Sequence, residues 1–229
     1  MGVRRGPLLG LTGQAALLVL LASTVGLGRP GWLAGALVGT ATALALARGL
    51  ERSAGHRLGP ADQVTLLRTV LTGGVAALVA DAFVHPAATG ALVGLATVGL
   101  VLDGVDGRVA RRTGTASAFG ARFDVEADAL LVLVLAVHVA RDVGLWVLLV
   151  PALRHLFVLA GRRLSWLRAP LPPRYWRKVV AVVSAVALLL AASTLVPPSV
   201  ASLVLGAALL LLLESFGRDV LWLHRRRTG

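Results

Sequence analysis

Residues 8–27 read LLGLTGQAALLVLLASTVGL, an apolar run without a charged side chain. A run of this length can cross a bilayer as a helix, since about 20 apolar residues span the hydrocarbon core. The rest of the chain is similar: 57% of its 229 residues are hydrophobic, only 15% are charged, and the mean hydropathy is +0.82. Because an average soluble domain carries roughly a quarter of charged residues, the sequence predicts an integral membrane protein.

The composition favours helices over a membrane β-barrel, because Leu, Val and Ala supply the apolar mass and aromatic residues make up 5%. The absence of cysteine excludes disulfides and thiolate metal sites. We therefore expect an all-α, polytopic fold with eight apolar segments. The predicted segments are Leu8–Leu27, Trp32–Ala47, Val64–Val84, Ala88–Leu102, Ala127–Ala140, Val143–Gly161, Val179–Val196 and Ser199–Leu213.

Basic residues are concentrated in alternate connections between these segments, and the remaining connections hold only Arg29 and Arg141. By the positive-inside rule, both termini and the basic loops face the cytoplasm, which suits a multi-pass protein of the cell membrane. The net charge of +12 is accordingly interpreted as a topology signal facing anionic lipid, and no nucleic-acid partner is expected.

The chain divides at its first basic loop. Residues 1–47 are predicted to form an N-terminal transmembrane hairpin, in which the G-x-x-x-G pair Gly35 and Gly39 is expected to pack helices together. Residues 48–61 are interpreted as an amphipathic segment on the cytoplasmic surface, and residues 62–229 as the main domain.

Acidic residues are scarce, and five of the eleven fall between residues 103 and 128. Carboxylates are costly near a membrane, so a cluster of them indicates a function. At about 100° per residue, the acids and several small residues share one face on each of two successive helices. These residues are Asp103, Asp106, Gly107, Ala110 and Arg111 on the first helix, and Gly120, Asp124 and Asp128 on the second.

Four carboxylates that face one cavity repel one another by roughly 3 kcal/mol per pair at about 6 Å and an effective dielectric near 20. Positive charge must therefore lie between them, and Arg111 can supply part of it. A cluster of oxygen ligands is typical of Mg²⁺ or Mn²⁺, and two such ions would suit phosphoryl transfer. The small residues on the same faces would let a phosphate-bearing substrate approach the backbone.

Residues 103–128 match D-x2-D-G-x2-A-R-x8-G-x3-D-x3-D at every fixed position. This pattern resembles the signature of the CDP-alcohol phosphatidyltransferase family. The resemblance implies a six-helix membrane core over about residues 60–216, usually homodimeric and open to the cytoplasm, to which the N-terminal hairpin is an addition.

The resemblance also implies roles for individual residues. Two divalent ions, Mg²⁺ or Mn²⁺, would be held by Asp103, Asp106, Asp124 and Asp128, with Asp128 also the catalytic general base. The nucleotide would be held by Gly107, Ala110, Arg111 and Gly120. Upstream, residues 60–68 are similar to the P-N-x-x-T-x-x-R motif with which the family's first core helix begins. This similarity adds Thr65 and Arg68 to the implied nucleotide site. Asp62 stands where Asn is usual.

The implied reaction transfers a phosphatidyl group from CDP-diacylglycerol to an alcohol acceptor and releases CMP. Basic residues on the following helices are candidates for binding a phosphorylated acceptor, such as glycerol 3-phosphate or inositol phosphate, although positive-inside loops would give the same pattern. The candidate acceptor residues are Arg154, Arg162, Arg174, Arg177 and Lys178.

Two alternatives remain open. A membrane cation or proton transporter would also carry intramembrane acids, but it predicts acids distributed across the bilayer and often related halves. A purely structural ion-pair network would join the acids to Arg108, Arg111 and Arg122. Glu126 is expected to pair with an arginine, because it lies on the opposite side of its helix from Asp124 and Asp128.

Overall fold

The structure is a computed structural model that describes residues 5–53, 58–113, 117–169, 171–172 and 174–227. In these residues the regular structure is helical, and no strand occurs among them. The helices are α1 (Arg5–Val25), α2 (Arg29–Arg52), α3 (Pro60–Asp81), α4 (Thr89–Thr113), α5 (Ala118–Val143), α6 (Leu149–Arg163), α7 (Tyr175–Ala192) and α8 (Pro198–Arg227), with short 3-10 helices at Leu145–Leu148 and Ser165–Arg168.

The predicted all-α, polytopic fold is confirmed. Among the described residues, six of the helices are long and apolar enough to cross a membrane, and the apolar part of α4, Thr89–Val105, is shorter. The two helices outside that set, α4 and α5, carry the acidic residues 103–128. Charged residues therefore lower the apolarity of these two helices in this part of the chain.

The turn between α1 and α2 is fixed by glycine and by a contact with α3. Gly26 has a φ of +74°, a left-handed conformation that suits a residue without a β-carbon after a helix end. The backbone N–H of Gly28 donates to Asp81 Oδ1 at 2.9 Å, so the last residue of α3 holds this turn. Pro30 then lies in the first turn of α2, where its missing N–H costs nothing.

A stripe of small residues lets α2 pack closely in the first part of the chain. Side chains at Gly35 and Gly39 would collide with Leu18 and Gln14 of α1, respectively. The expectation that this G-x-x-x-G pair packs helices is therefore confirmed. α1 and α2 also pack against α3, which is the most buried of the candidate spans.

Residues 48–61, which the sequence predicts as a separate amphipathic surface segment, begin inside a helix. α2 continues to Arg52, so residues 48–52 form its last turn, and α3 starts at Pro60. Residues 54–57 lie outside the described residues. The α-carbon contacts group residues Met1–Val134 in one compact unit and Leu135–Gly229 in a second, while the predicted three-part domain division stays a prediction.

In the second unit, α8 is much longer than the predicted apolar segment, which ended at Leu213. A segment defined by hydropathy stops at the first charges, whereas the helix continues to Arg227, and Glu214 pairs with Arg218 one turn later. α7 packs against α8, and Phe157 of α6 contacts Phe216 with ring centroids 5.5 Å apart. The extension of α8 therefore belongs to the folded unit.

Candidate metal and nucleotide site

Two helices of the first unit bring three of the predicted acids together. Asp103 lies on α4, and Asp124 and Asp128 lie one turn apart on α5. One carboxylate oxygen from each of the three residues lies within 4.8 Å of the other two. These three predicted acids thus converge on one point.

The guanidinium of Arg68 lies between these acids. Its Nη2 is 3.0 Å from Asp103 Oδ1 and donates also to Asp128, while Nη1 donates to Asp124 Oδ1. Arg68 is on α3, so one side chain ties together three helices. The positive charge that the acids require therefore comes in part from Arg68, in addition to the Arg111 considered from the sequence.

Burial distinguishes the arginine from the acids. The side chain of Arg68 is 3% exposed, whereas those of Asp103, Asp124 and Asp128 are 28%, 35% and 42% exposed. The acids therefore line an accessible surface, and Arg68 approaches them from the protein interior. A ligand that reaches the open side meets carboxylate oxygens whose positions are already constrained by hydrogen bonds.

The cluster has the chemistry and the size of a hard-cation site. Mg²⁺ takes oxygen ligands at about 2.0–2.1 Å in an octahedron, so opposite ligands lie about 4.2 Å apart. The carboxylate oxygens of the three acids lie within 4.8 Å of one another, which is close to this spacing. The three described acids therefore fit a divalent cation.

The N-terminal end of α3 lies against the N-terminal end of α5. Asp62 is buried and accepts a hydrogen bond from the Gly59 backbone N–H at 2.9 Å, which caps α3. Gly120 faces the same carboxylate, because a β-carbon at this position would lie 2.5 Å from Asp62 Oδ1. The unusual Asp62 thus has a structural contact, and Gly120 leaves room for it.

Thr65 is one of the predicted nucleotide residues that the structure describes. It is buried one turn before Arg68, and its hydroxyl donates to the Ala61 carbonyl at 3.2 Å. The other predicted residues of this part of the site lie in α4, whose backbone is helical there but whose side chains are outside the described residues. These are Asp106, Gly107, Ala110 and Arg111.

The predicted acceptor residues all fall in the second unit. Arg154 and Arg162 lie on α6, and Arg177 and Lys178 lie in the first turn of α7. Arg174 Nη1 and Arg177 Nε are 3.7 Å and 3.6 Å from the carboxylate oxygens of Asp219 on α8. Sequence analysis did not identify Asp219, and the available signal was an acid next to Arg218 beyond the predicted apolar segment.

The fold and the site define a polytopic helical membrane protein with an acid cluster on two adjacent helices. The sequence model of the family described as CDP-alcohol phosphatidyltransferase matches residues 58–213, which is more than half of the chain. The chain therefore belongs to the CDP-alcohol phosphatidyltransferase family, whose members transfer phosphate-linked groups. No curated protein and no solved structure matches it significantly.

Replacing Gly120 by Ala should impair the site. The new methyl group would meet Asp62 Oδ1 at 2.5 Å and Ser117 Oγ at 3.1 Å, so the buried Asp62 carboxylate, which caps α3, or the helices themselves must move. We expect transfer activity to fall about tenfold or more, because catalysis is sensitive to small displacements. Gly94→Ala on α4 is the matched control, since no described atom lies within 4 Å of its β-carbon. Equal activity of the two variants would contradict the close packing at Gly120.

Proposed function

We propose that the protein transfers a phosphatidyl group from CDP-diacylglycerol to a polar alcohol and releases CMP. The observation that carries the proposal is the convergence of Asp103, Asp124 and Asp128 within the segment that matches the family. The basic loops predict that this chemistry occurs at the cytoplasmic side of the cell membrane. The family relationship also supports a homodimer as a proposal.

Asp103, Asp124 and Asp128, together with Asp106, are proposed to hold two Mg²⁺ or Mn²⁺ ions. When bound, such ions polarise the phosphates and offset the charge that grows on the CMP leaving group. Three close carboxylates with only oxygen donors support this proposal.

Asp128 is proposed as the general base. The acceptor hydroxyl would form a bond to the phosphorus that bears the lipid, its proton would pass to the Asp128 carboxylate, and the bond from phosphorus to the CMP oxygen would break. Asp128 is the most exposed of the three described acids, at 42%, which supports access by an acceptor. Its hydrogen bond with Arg68 would orient the carboxylate.

The nucleotide is proposed to bind beside the acids. Small residues on the helix faces that carry the acids would allow the nucleotide to approach the backbone. Arg111 would bind the diphosphate through charge-assisted hydrogen bonds. Arg68 would act mainly by fixing the carboxylates, because the structure places its guanidinium among them. The proposed nucleotide residues are Thr65, Arg68, Gly107, Ala110, Arg111 and Gly120.

The acceptor is proposed to be a phosphorylated alcohol, such as glycerol 3-phosphate or inositol phosphate. Arginine binds phosphate oxygens through charge-assisted hydrogen bonds, so a basic surface favours such an acceptor over an uncharged one. The proposed acceptor residues remain Arg154, Arg162, Arg174, Arg177 and Lys178.

An acceptor screen tests this proposal. Purified protein in detergent would be incubated with Mg²⁺, CDP-diacylglycerol and one candidate acceptor, and CMP release would be measured. Glycerol 3-phosphate, inositol phosphate, serine and phosphatidylglycerol form the panel. We expect a phosphorylated alcohol to exceed serine by at least about tenfold, which corresponds to one charge-assisted hydrogen bond. Faster release with serine would reject the phosphorylated acceptor.

A further inference from the structure

A basic cavity of about 420 Å³ lies in the second unit, between the start of α7 and the end of α8. Four arginines line it: Arg174, Arg177, Arg218 and Arg225. Among the described residues that line the cavity, Asp219 is the only acid, so the lining carries a net positive charge. Guanidinium groups match phosphate oxygens in geometry as well as charge, and a phosphate is therefore the ligand that this lining fits.

The arginines are held in place by contacts within the unit. Asp219 is 3% exposed and lies within 4 Å of both Arg174 and Arg177. Arg177 also donates to the Pro172 carbonyl, and Arg218 pairs with Glu214. These contacts restrain long side chains before a ligand arrives, which lowers the entropic cost of binding.

One edge of the cavity is apolar and faces outward. Leu221, which is 58% exposed, lines the cavity, and Trp176 and Trp222 also line it. Tryptophan is enriched at the membrane–water interface, where its ring meets the headgroups. Exposed apolar residues continue along both helices, including Val183 on α7 and Leu213 on α8. A ligand with a charged head and apolar chains satisfies both surfaces, whereas a soluble phosphate satisfies only the basic one.

The α8 side of this cavity lies beyond the part of the chain that matches the family. The family match ends at residue 213, and the α8 residues that line the cavity all lie beyond it. The cavity therefore requires the part of α8 that follows the predicted apolar segment, which ended at Leu213. Its ligand does not follow from the family relationship.

We propose that this cavity binds the headgroup of an anionic phospholipid from the surrounding leaflet. The arginines contact the phosphate, and the acyl chains follow the exposed faces of α7 and α8. Basic pockets between membrane helices bind anionic headgroups by this chemistry. The proposal does not rest on the transferase activity, and it competes with the assignment of Arg174 and Arg177 to an acceptor.

Lipid binding to the purified full chain in a nonionic detergent tests the proposal without CDP-diacylglycerol. The ligands are phosphatidylglycerol, phosphatidylcholine and glycerol 3-phosphate, and the readout is the apparent Kd. We expect phosphatidylglycerol to bind at least about tenfold more tightly than either other ligand, because only it offers a net anionic headgroup and acyl chains.

The double variant Arg218→Gln/Arg225→Gln should weaken phosphatidylglycerol binding about tenfold or more. Arg163→Gln removes an exposed arginine of the same unit that does not line the cavity, and it should bind as the unchanged protein does. Arg218→Lys/Arg225→Lys keeps the charge and should retain more affinity than the Gln variant, which separates lost binding from lost folding.

Equal binding of phosphatidylglycerol and phosphatidylcholine, or unchanged binding in the Gln variant, would overturn the proposal. Tighter binding of glycerol 3-phosphate than of lipid would also overturn it and would assign the cavity to a soluble phosphate.

Discussion

Asp128→Asn is expected to lower transfer activity by at least about a thousandfold. The change removes the proposed general base, worth about 10²–10⁴-fold, and also one carboxylate of the proposed cation site. The side chain keeps its size, so the packing of α5 should persist. The measurement is Mg²⁺-dependent release of CMP from CDP-diacylglycerol in the presence of a phosphorylated acceptor, made on purified protein in detergent. The acceptor must be present, because the proton that Asp128 would take belongs to the acceptor hydroxyl.

Glu126→Gln is the matched control for that measurement. It makes the same acid-to-amide change on the same helix, two residues away, at a position outside the acid cluster. We expect its rate of acceptor-dependent CMP release to stay within about twofold of the unchanged protein, since surface substitutions have small effects. Similar losses in both variants would indicate a general response of α5 to lost charge and would contradict a specific role for Asp128.

Arg68→Gln is expected to have the largest effect on stability. Without this guanidinium, three carboxylates within 4.8 Å of one another lose their shared hydrogen-bond donor. Removing one partner of a buried ion pair costs about 3–5 kcal/mol, and the partial exposure of the acids reduces this to about 2–3 kcal/mol here. The measurement is thermal unfolding in detergent with EDTA, in which the variant should melt several degrees lower.

Mg²⁺ should then raise the melting temperature of Arg68→Gln by more than that of the unchanged protein, because the cation replaces lost positive charge. Arg122→Gln on α5 is the control, since Arg122 is exposed, and it should melt as the unchanged protein does in both conditions. An unchanged melting temperature for Arg68→Gln in EDTA would contradict the role of Arg68 as a counter-ion.

The helices and the acid faces could be predicted because they depend on local sequence. Apolar runs mark membrane helices, and a spacing of three or four residues fixes which side chains share a face. Asp124 and Asp128 are one turn apart in the sequence and in the structure. The convergence with Asp103 required only that α4 and α5 be neighbours across a short link.

The place of Arg68 could not be predicted from the same rules. It contacts Asp124 and Asp128 across 56 and 60 residues of chain, so its position depends on how α3 packs against two later helices. The family pattern identified Arg68 as a site residue but suggested a nucleotide contact. Its burial and its three carboxylate partners are properties of tertiary packing.

The cavity at the end of α8 was missed for a different reason. Hydropathy defines where a membrane segment loses its apolar character, but a helix continues while side-chain pairs and propensity support it. Asp219 is buried, although it follows the exposed Arg218 and lies beyond the predicted apolar segment. Only the pairing of α7 with α8 places it beside Arg174 and Arg177.

A titration of bound Mn²⁺ tests the central claim most directly. Purified protein with CDP would be titrated with Mn²⁺, and free ion would be followed by electron paramagnetic resonance, because bound Mn²⁺ loses its sharp signal. We expect two ions to bind per chain and at least one of them to be lost in Asp124→Asn, with Glu126→Gln unchanged. Binding that is absent in the unchanged protein, or that survives in Asp124→Asn without loss, would contradict the proposed cation site.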